Sequence, residues 1–287
     1  MARSNGSRPS YVGIGAQKCA STWLHRILAE HPQVAVPETK EVDFFSYRYD
    51  RGYQWYERCF DGAPDARARG EISPSYFCEP AVPERVARYV PEAQIIVSLR
   101  DPVERALSNH RHEVREGHLV GPDLTFEAGL DNNPMYVEQG LYATHLKKWL
   151  RHFPRERILV ILMEDVAADP LGVARSVYGF LGIDSGFVPA GLAERYNQSF
   201  ATRSPALGAM KDTAYAMTRL PGLRWAWDAA AGIGLRRMYR GINKMPSDVV
   251  IPPPAEQTLQ RLRQRFEPEI LELENLIGRS LAAWHVS

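Results

Sequence analysis

Cysteine is scarce in this chain. Cys19, Cys59 and Cys78 are the only three among 287 residues, odd in number and without a C-x-x-C pair. That excludes a disulfide framework and a thiolate zinc site, and it suits reduced thiols. Excess charge of either sign is also missing, with 35 Lys and Arg against 34 Asp and Glu, a net +1. An electrostatic nucleic-acid binder would carry a marked basic excess. No long hydrophobic run occurs: "ILVILM" at 158–163 has the length of a buried strand and cannot span a bilayer, so no transmembrane anchor is expected. "MARSNGSRPS" lacks the apolar core of a signal peptide, and a cytoplasmic location is the expectation. Internal repeats and low-complexity tracts are absent too. The remaining composition, 45% hydrophobic and 24% charged, is that of a chain able to pack a core.

What is present is alternation. Residues 11–14 read as a buried strand, and Ser21 and Thr22 open a helix with Trp23, Leu24, Ile27 and Leu28 on one face. "QIIVSL" (94–99) is a second buried strand. It runs into Asp101, Pro102 and Glu104, an N-cap, a first-turn proline and a capping glutamate in order. A helix over 140–152 carries Leu141, His145, Leu146, Trp149 and Leu150 on or near one face. "ILVIL" (158–162) is a third strand, and Asp169-Pro170 starts a helix through Leu181. After "IPPP" at 251–254, Leu259, Leu262, Phe266, Ile270, Leu273 and Leu276 line one side of a last helix. Strands alternating with helices predict an α/β fold, a parallel sheet flanked by helices, with ligands beyond the carboxyl ends of the strands. A single domain over 1–287 is expected, with 205–250, rich in Gly, Ala, Met, Trp and Arg, as a helical insertion near the C-terminus.

Three loops carry candidate chemistry. In "YVGIGAQKCASTWL" a strand runs through a glycine-bearing loop into a helix, a layout whose free N–H groups suit phosphate or sulfate. Lys18 adds a point charge, and Ser21 and Thr22 add hydroxyls. The usual nucleotide loop places its lysine directly before the hydroxyl, whereas here the lysine comes first. An ordinary βα turn with a capping serine fits the local pattern equally well, and small size accounts for Cys19. In "LRDPVERALSNH" Arg100 ends a strand, and Ser108 follows Asp101 by seven residues, about two helical turns. The pair reads either as a phosphate clamp or as an Arg–Asp surface pair with a solvent-facing serine. In "VPETKEVDFFS" Glu41 precedes Phe44-Phe45. A carboxylate held against apolar surroundings has a raised pKa and suits a general base, while a charged loop tip beside two core aromatics is the plainer alternative. "GEISPSYF" (70–77) reads only as a loop.

Taken jointly, these stretches resemble the sulfotransferases that use 3′-phosphoadenosine 5′-phosphosulfate (PAPS), in particular the heparan sulfate N- and 3-O-sulfotransferases and their bacterial relatives. "GAQKCASTWL" resembles the 5′-phosphosulfate loop, "KEVDFF" the segment with the catalytic glutamate, "LRDPVERALSNH" the 3′-phosphate motif and "GLYATHLKKWL" the helix after it. The resemblance covers roughly residues 11–183. It implies a P-loop-like fold and sulfuryl transfer from PAPS, without a metal, to a hydroxyl or amine of a carbohydrate or small-molecule acceptor, leaving adenosine 3′,5′-bisphosphate. It implies that Gly15, Gln17, Lys18, Cys19, Ala20, Ser21, Thr22 and Trp23 surround the cofactor, with Lys18 bridging the 5′-phosphate and the sulfuryl group and Trp23 stacking near the adenine. Arg100 and Ser108 would hold the 3′-phosphate, and Glu41 would deprotonate the acceptor.

The chain departs from that pattern in three places. Ala20 stands where the loop often has glycine, which narrows the allowed backbone. Ile72 stands where the heparan branch tends to place a lysine, so that role moves elsewhere or is missing. The paired cysteines near the cofactor-covering loop are absent, and in "YNQSFATRSPAL" (196–207) Arg203 and Ser204 are the candidates for closing over the cofactor. His25, His110 and His112 are rival bases, less well placed in sequence than Glu41. A P-loop phosphotransferase is the alternative reading, although the expected GK[ST] and magnesium ligands are not evident; a non-catalytic nucleotide-binding module is a third. The 205–250 insertion reads either as a lid for an apolar acceptor or as a packing subdomain or homodimer contact.

Overall fold

The structure, a computed structural model, describes residues 8–61, 65–116, 118–119, 121–192, 200–202, 244–246 and 251–285. Its elements are β1 (Tyr11–Gly15), α1 (Ser21–Ala29), β2 (Val34–Ala35), α2 (Phe44–Tyr47), α3 (Tyr53–Arg58), β3 (Ala68–Ile72), α4 (Val82–Tyr89), β4 (Gln94–Leu99), α5 (Pro102–Glu116), α6 (Phe126–Asn132), α7 (Met135–Glu138), α8 (Tyr142–Leu150), β5 (Ile158–Leu162), α9 (Met163–Ala168), α10 (Pro170–Leu181), β6 (Phe200–Thr202), β7 (Lys244–Pro246) and α11 (Glu256–Ile277). They divide into two compact units. The first comprises residues 1–105, 137–196 and 263–287, the second 106–136 and 197–262.

The first unit holds a five-stranded sheet in the order β2-β3-β1-β4-β5, with every pairing parallel. β1 and β4 read as apolar runs because a parallel strand is covered on both faces, and all five residues of β1 are buried. The apolar face of α1, Trp23, Leu24, Ile27 and Leu28, packs with Ile72, Ile96, Val177, Tyr178 and Leu181 in one cluster. α10 begins as its sequence predicts: the Asp169 carboxylate accepts the Gly172 N–H at 2.8 Å, and Gly182 ends the helix at φ 68°. The helix expected over 140–152 is shorter, Tyr142–Leu150.

β3 corrects the reading of "GEISPSYF" as a loop. The strand "ARGEI" lies beside β1, with all five residues buried although two are charged. Gly70 permits the close pairing, since a Cβ there would lie 2.1 Å from the Tyr11 carbonyl oxygen. No apolar run marks this strand, so periodicity alone misses it.

In the second unit β6 and β7 pair antiparallel. His110 bonds the Tyr136 hydroxyl (3.2 Å) and the Leu124 carbonyl (3.0 Å), and the Phe126 and Tyr136 rings stack at 6.1 Å. Residues 203–243 and 247–250 lie outside the described residues, and with them almost all of the expected 205–250 insertion. Among the described residues no helix is long and apolar enough to cross a membrane.

The face predicted for α11 is the buried one, including Phe266, Ile270 and Leu273. Phe266 is fully buried against Gly140, where an added Cβ would meet its ring at 2.7 Å. Phe266→Ala is expected to destabilise the protein by about 3–5 kcal/mol, read as a lower midpoint in denaturant unfolding.

Candidate active site

The carboxyl end of β1 turns sharply into α1. Gly15 has φ 129°, and a Cβ on it would lie 2.9 Å from the Pro74 carbonyl oxygen. Lys18 and Ala20 are both left-handed, at φ 65° and 63°. Ser98 of β4 gathers the loop: its hydroxyl donates to the Gly15 carbonyl (3.2 Å) and to that of Cys19, while its own carbonyl accepts from the Ala16 N–H at 2.7 Å. A buried strut supports the loop from behind. Arg105 donates to the Gln139 side-chain oxygen at 2.9 Å, and the Gln139 amide donates to that of Gln17 at 3.1 Å. Cys19 is buried beside the Tyr142 hydroxyl, and burial pushes its thiol up to about 11, away from the thiolate form.

The first turn of α1 has no side-chain cap and no acidic residue. Its positive end therefore faces the loop without an internal counter-charge. Ser21 and Thr22 occupy that turn, half-buried. Trp23, assigned by resemblance to adenine stacking, sits in the core with its indole N–H donating to the Leu192 carbonyl at 3.3 Å.

Glu41 reaches the same loop through its neighbour. Lys40 Nζ lies 3.0 Å from Thr22 Oγ1 and 2.6 Å from Glu41 Oε1. The sequence suggests apolar surroundings for this carboxylate, but its side chain is 43% exposed and ion-paired. Glu41 and Asp43 are both left-handed, at φ 60° and 54°. Asp43 accepts the Ser75 hydroxyl at 2.6 Å, and burial raises its carboxyl pKa. His25 of α1 feels both Lys40 and Glu41, with burial lowering its pKa.

Glu71 is the residue that sequence reasoning misses. It is buried, and burial raises its carboxyl to about 7. Its carboxylate accepts the Val42 N–H (3.0 Å), the Ser73 hydroxyl (2.5 Å) and the Tyr76 hydroxyl (2.5 Å). Ser73 and Tyr76 in turn accept the N–H groups of Asp43 (2.9 Å) and Phe45 (3.2 Å). The one available signal was a glutamate followed within five residues by Ser73, Ser75 and Tyr76.

Arg100, at the end of β4, donates to Glu104 at 3.2 Å. Glu104 thus turns to Arg100 instead of completing a capping box, while Asp101 caps α5 by accepting the Glu104 N–H at 2.9 Å. Ser108 lies farther along α5, on the stretch belonging to the second unit. Arg203 and Ser204 lie outside the described residues. Among the described residues no group of three or more His, Cys, Asp or Glu is placed to hold a metal ion.

Comparison with known proteins follows this geometry. The sulfotransferase domain family matches residues 11–204, and the chain belongs to that family. It is 34% identical over 181 residues to heparan sulfate glucosamine 3-O-sulfotransferase 3B1 of Homo sapiens, covering 61% of this chain and 46% of that one. It is 31% identical over 194 residues to the human bifunctional heparan sulfate N-deacetylase/N-sulfotransferase 2, covering 61% and 22%. The chain therefore spans about half the length, or less, of these curated relatives. A sulfotransferase crystal structure from Alicyclobacillus acidocaldarius superposes with a TM-score of 0.69 at 28% identity, over 96% of this chain and 98% of that one.

Ala20 bears the cost of the left-handed turn that a glycine would take freely. Ala20→Gly is expected to stabilise the protein by about 1 kcal/mol, measured as a higher denaturant midpoint.

Proposed function

We propose that this chain transfers the sulfuryl group of PAPS to a hydroxyl or amine of a carbohydrate, with Glu41 as general base. The Lys40 bridge carries the reading: one ammonium touches both a hydroxyl of the anion loop and the carboxylate proposed to take the acceptor's proton. The relatives' names, which refer to heparan sulfate glucosamine, support a carbohydrate acceptor. Three free thiols suit a reducing compartment, and the proposal includes the cytoplasm.

The residues present fit the cofactor. An uncapped helix terminus, Lys18, Ser21 and Thr22 offer donors and positive charge to a phosphosulfate. When bound, PAPS supplies an activated sulfuryl group whose departure leaves negative charge on the 5′-phosphate. Lys18 and the N–H groups of the first turn of α1 stabilise that charge where it grows. Lys40 holds Thr22 and Glu41 together and supplies a second cation at the transfer point, the role that Ile72 cannot fill from its buried place. Glu41 orients the acceptor and removes its proton. Arg100 is proposed for the 3′-phosphate. Trp23 is proposed to anchor α1 on the sheet instead of stacking on adenine.

Calorimetric titration with adenosine 3′,5′-bisphosphate is expected to show binding that Mg²⁺ does not alter and that ATP does not match. A preference for Mg-ATP would favour a phosphotransferase. Glu41→Gln is expected to keep that binding and to lower turnover by about 10²–10⁴-fold, whereas Lys18→Ala weakens binding itself. Retained turnover in Glu41→Gln, together with its loss in His25→Gln, would transfer the base to His25.

A further inference from the structure

We infer that Glu71 is the positioning residue for Glu41: one buried carboxylate is the common acceptor that aligns the backbone of 42–45 and so aims the proposed base. The inference rests on the reading of Glu41 given above.

The geometry is a fan of three chains that converge on one group. Val42 N–H donates to Glu71 directly. Asp43 N–H donates to Ser73 Oγ, whose hydroxyl donates to Glu71. Phe45 N–H donates to Tyr76 Oη, whose hydroxyl also donates to Glu71. Each hydroxyl has one proton, so donation to Glu71 leaves its lone pairs turned toward the loop amide. The carbonyls of the same segment are held from other directions: Arg48 donates to the Val42 carbonyl at 3.1 Å and Arg85 to that of Phe45 at 2.6 Å. The left-handed residues Glu41 and Asp43 flank Val42, whose N–H is the one bonded directly to Glu71. The three bonds described for Glu71 lead to the backbone N–H groups of residues 42, 43 and 45, so its effect on Glu41 passes through the backbone.

The arrangement depends on the charge of Glu71. An ionised carboxylate only accepts, matching three donors; a protonated one is itself a donor and forces a hydroxyl to turn. Titratable groups that face Glu71 include Tyr11 of β1, Tyr56 of α3, Cys59 just after it and Tyr76, and the buried Arg69 lies two residues back on the same face of β3. Burial dominates, and the carboxyl titrates near 7, with the charged, loop-aligning form present above that pH. The sign for stability is opposite. A carboxyl raised in the folded state favours folding most at pH below its unfolded value, and that contribution is lost as pH rises toward 7. Positioning and stability therefore change in opposite directions with pH.

The test is hydrogen exchange at individual amides, paired with turnover. In Glu71→Gln, protection at Val42, Asp43 and Phe45 is expected to fall together. Ser73→Ala is expected to lower it mainly at Asp43, and Tyr76→Phe mainly at Phe45. With PAPS and a desulfated heparan oligosaccharide, Glu71→Gln is expected to lose about 10–100-fold in kcat while its affinity for adenosine 3′,5′-bisphosphate stays unchanged. The wild-type rise of kcat through pH near 7 is expected to vanish in Glu71→Gln. It moves to higher pH in Tyr76→Phe, which removes a donor to the carboxylate. Should Glu71→Gln fail to fold, the two single-hydroxyl variants decide the matter by the same readouts. Unchanged protection at 42, 43 and 45 overturns the inference, as does lost protection with unchanged kcat and pH profile. The exchange pattern needs no substrate, so it separates failure of the clamp from failure of the sulfotransferase reading, which would show as absent transfer or as full turnover in Glu41→Gln.

Discussion

A carboxylate inside a protein must find donors or lose its charge, and Glu71 of β3 meets that requirement with donors from outside the strand. Desolvating such an ion costs several kcal/mol, and hydrogen bonds to a charged acceptor return about 1.5–3 kcal/mol each. Three donors meet it, and all three belong to, or lead toward, the segment that carries Glu41. The charged residue that makes β3 unlike a parallel strand is thus the one that ties the loop after β2 to the centre of the sheet.

The neighbouring loop between β1 and α1 is built on the same logic of satisfied backbone. Ser98 bonds three of its peptide groups, counting its own carbonyl, and Gln17 rests on the Arg105–Gln139 strut. Tight curvature is stored at Lys18 and Ala20, both left-handed without being glycine. Strain of that kind persists where surrounding bonds over-determine it, and here they leave the first turn of α1 without an internal cap. Lys40 then joins the two loops. Its ammonium directly contacts both the helix that would receive the anion and the carboxylate that would receive the proton.

Much of the fold was legible. β4, β5 and α10 coincide with their expected limits because a buried apolar run or an Asp-Pro cap followed by a glycine is a local signal. The buried face of α1 was legible from its spacing, and so was the face of α11. β3 was not, since its burial depends on Gly70 fitting against Tyr11 and on Glu71 finding hydroxyls from outside the strand. In the site, the loop order Lys18, Ser21, Thr22 was readable, while the apolar setting expected for Glu41 gave way to an ion pair with Lys40. The plainer alternative for Arg100 named Asp101 as its partner, but Glu104 takes that place while Asp101 is committed to capping.

By itself the sequence determined β1, β4 and β5, the helices that follow them and the parallel sheet their alternation implies, because periodicity and capping act over a few neighbours. Only the tertiary structure decided which charges meet. Lys40 and Thr22 are 18 residues apart, and Glu71 and Val42 are 29 apart; such pairs form only when the chain closes on itself. The placement of Trp23 in the core follows from the same cause, since α1 turns that face onto the sheet and α10 covers it. The ionisation of Glu71 is likewise a property of its burial, and no reading of its neighbours in sequence contains it.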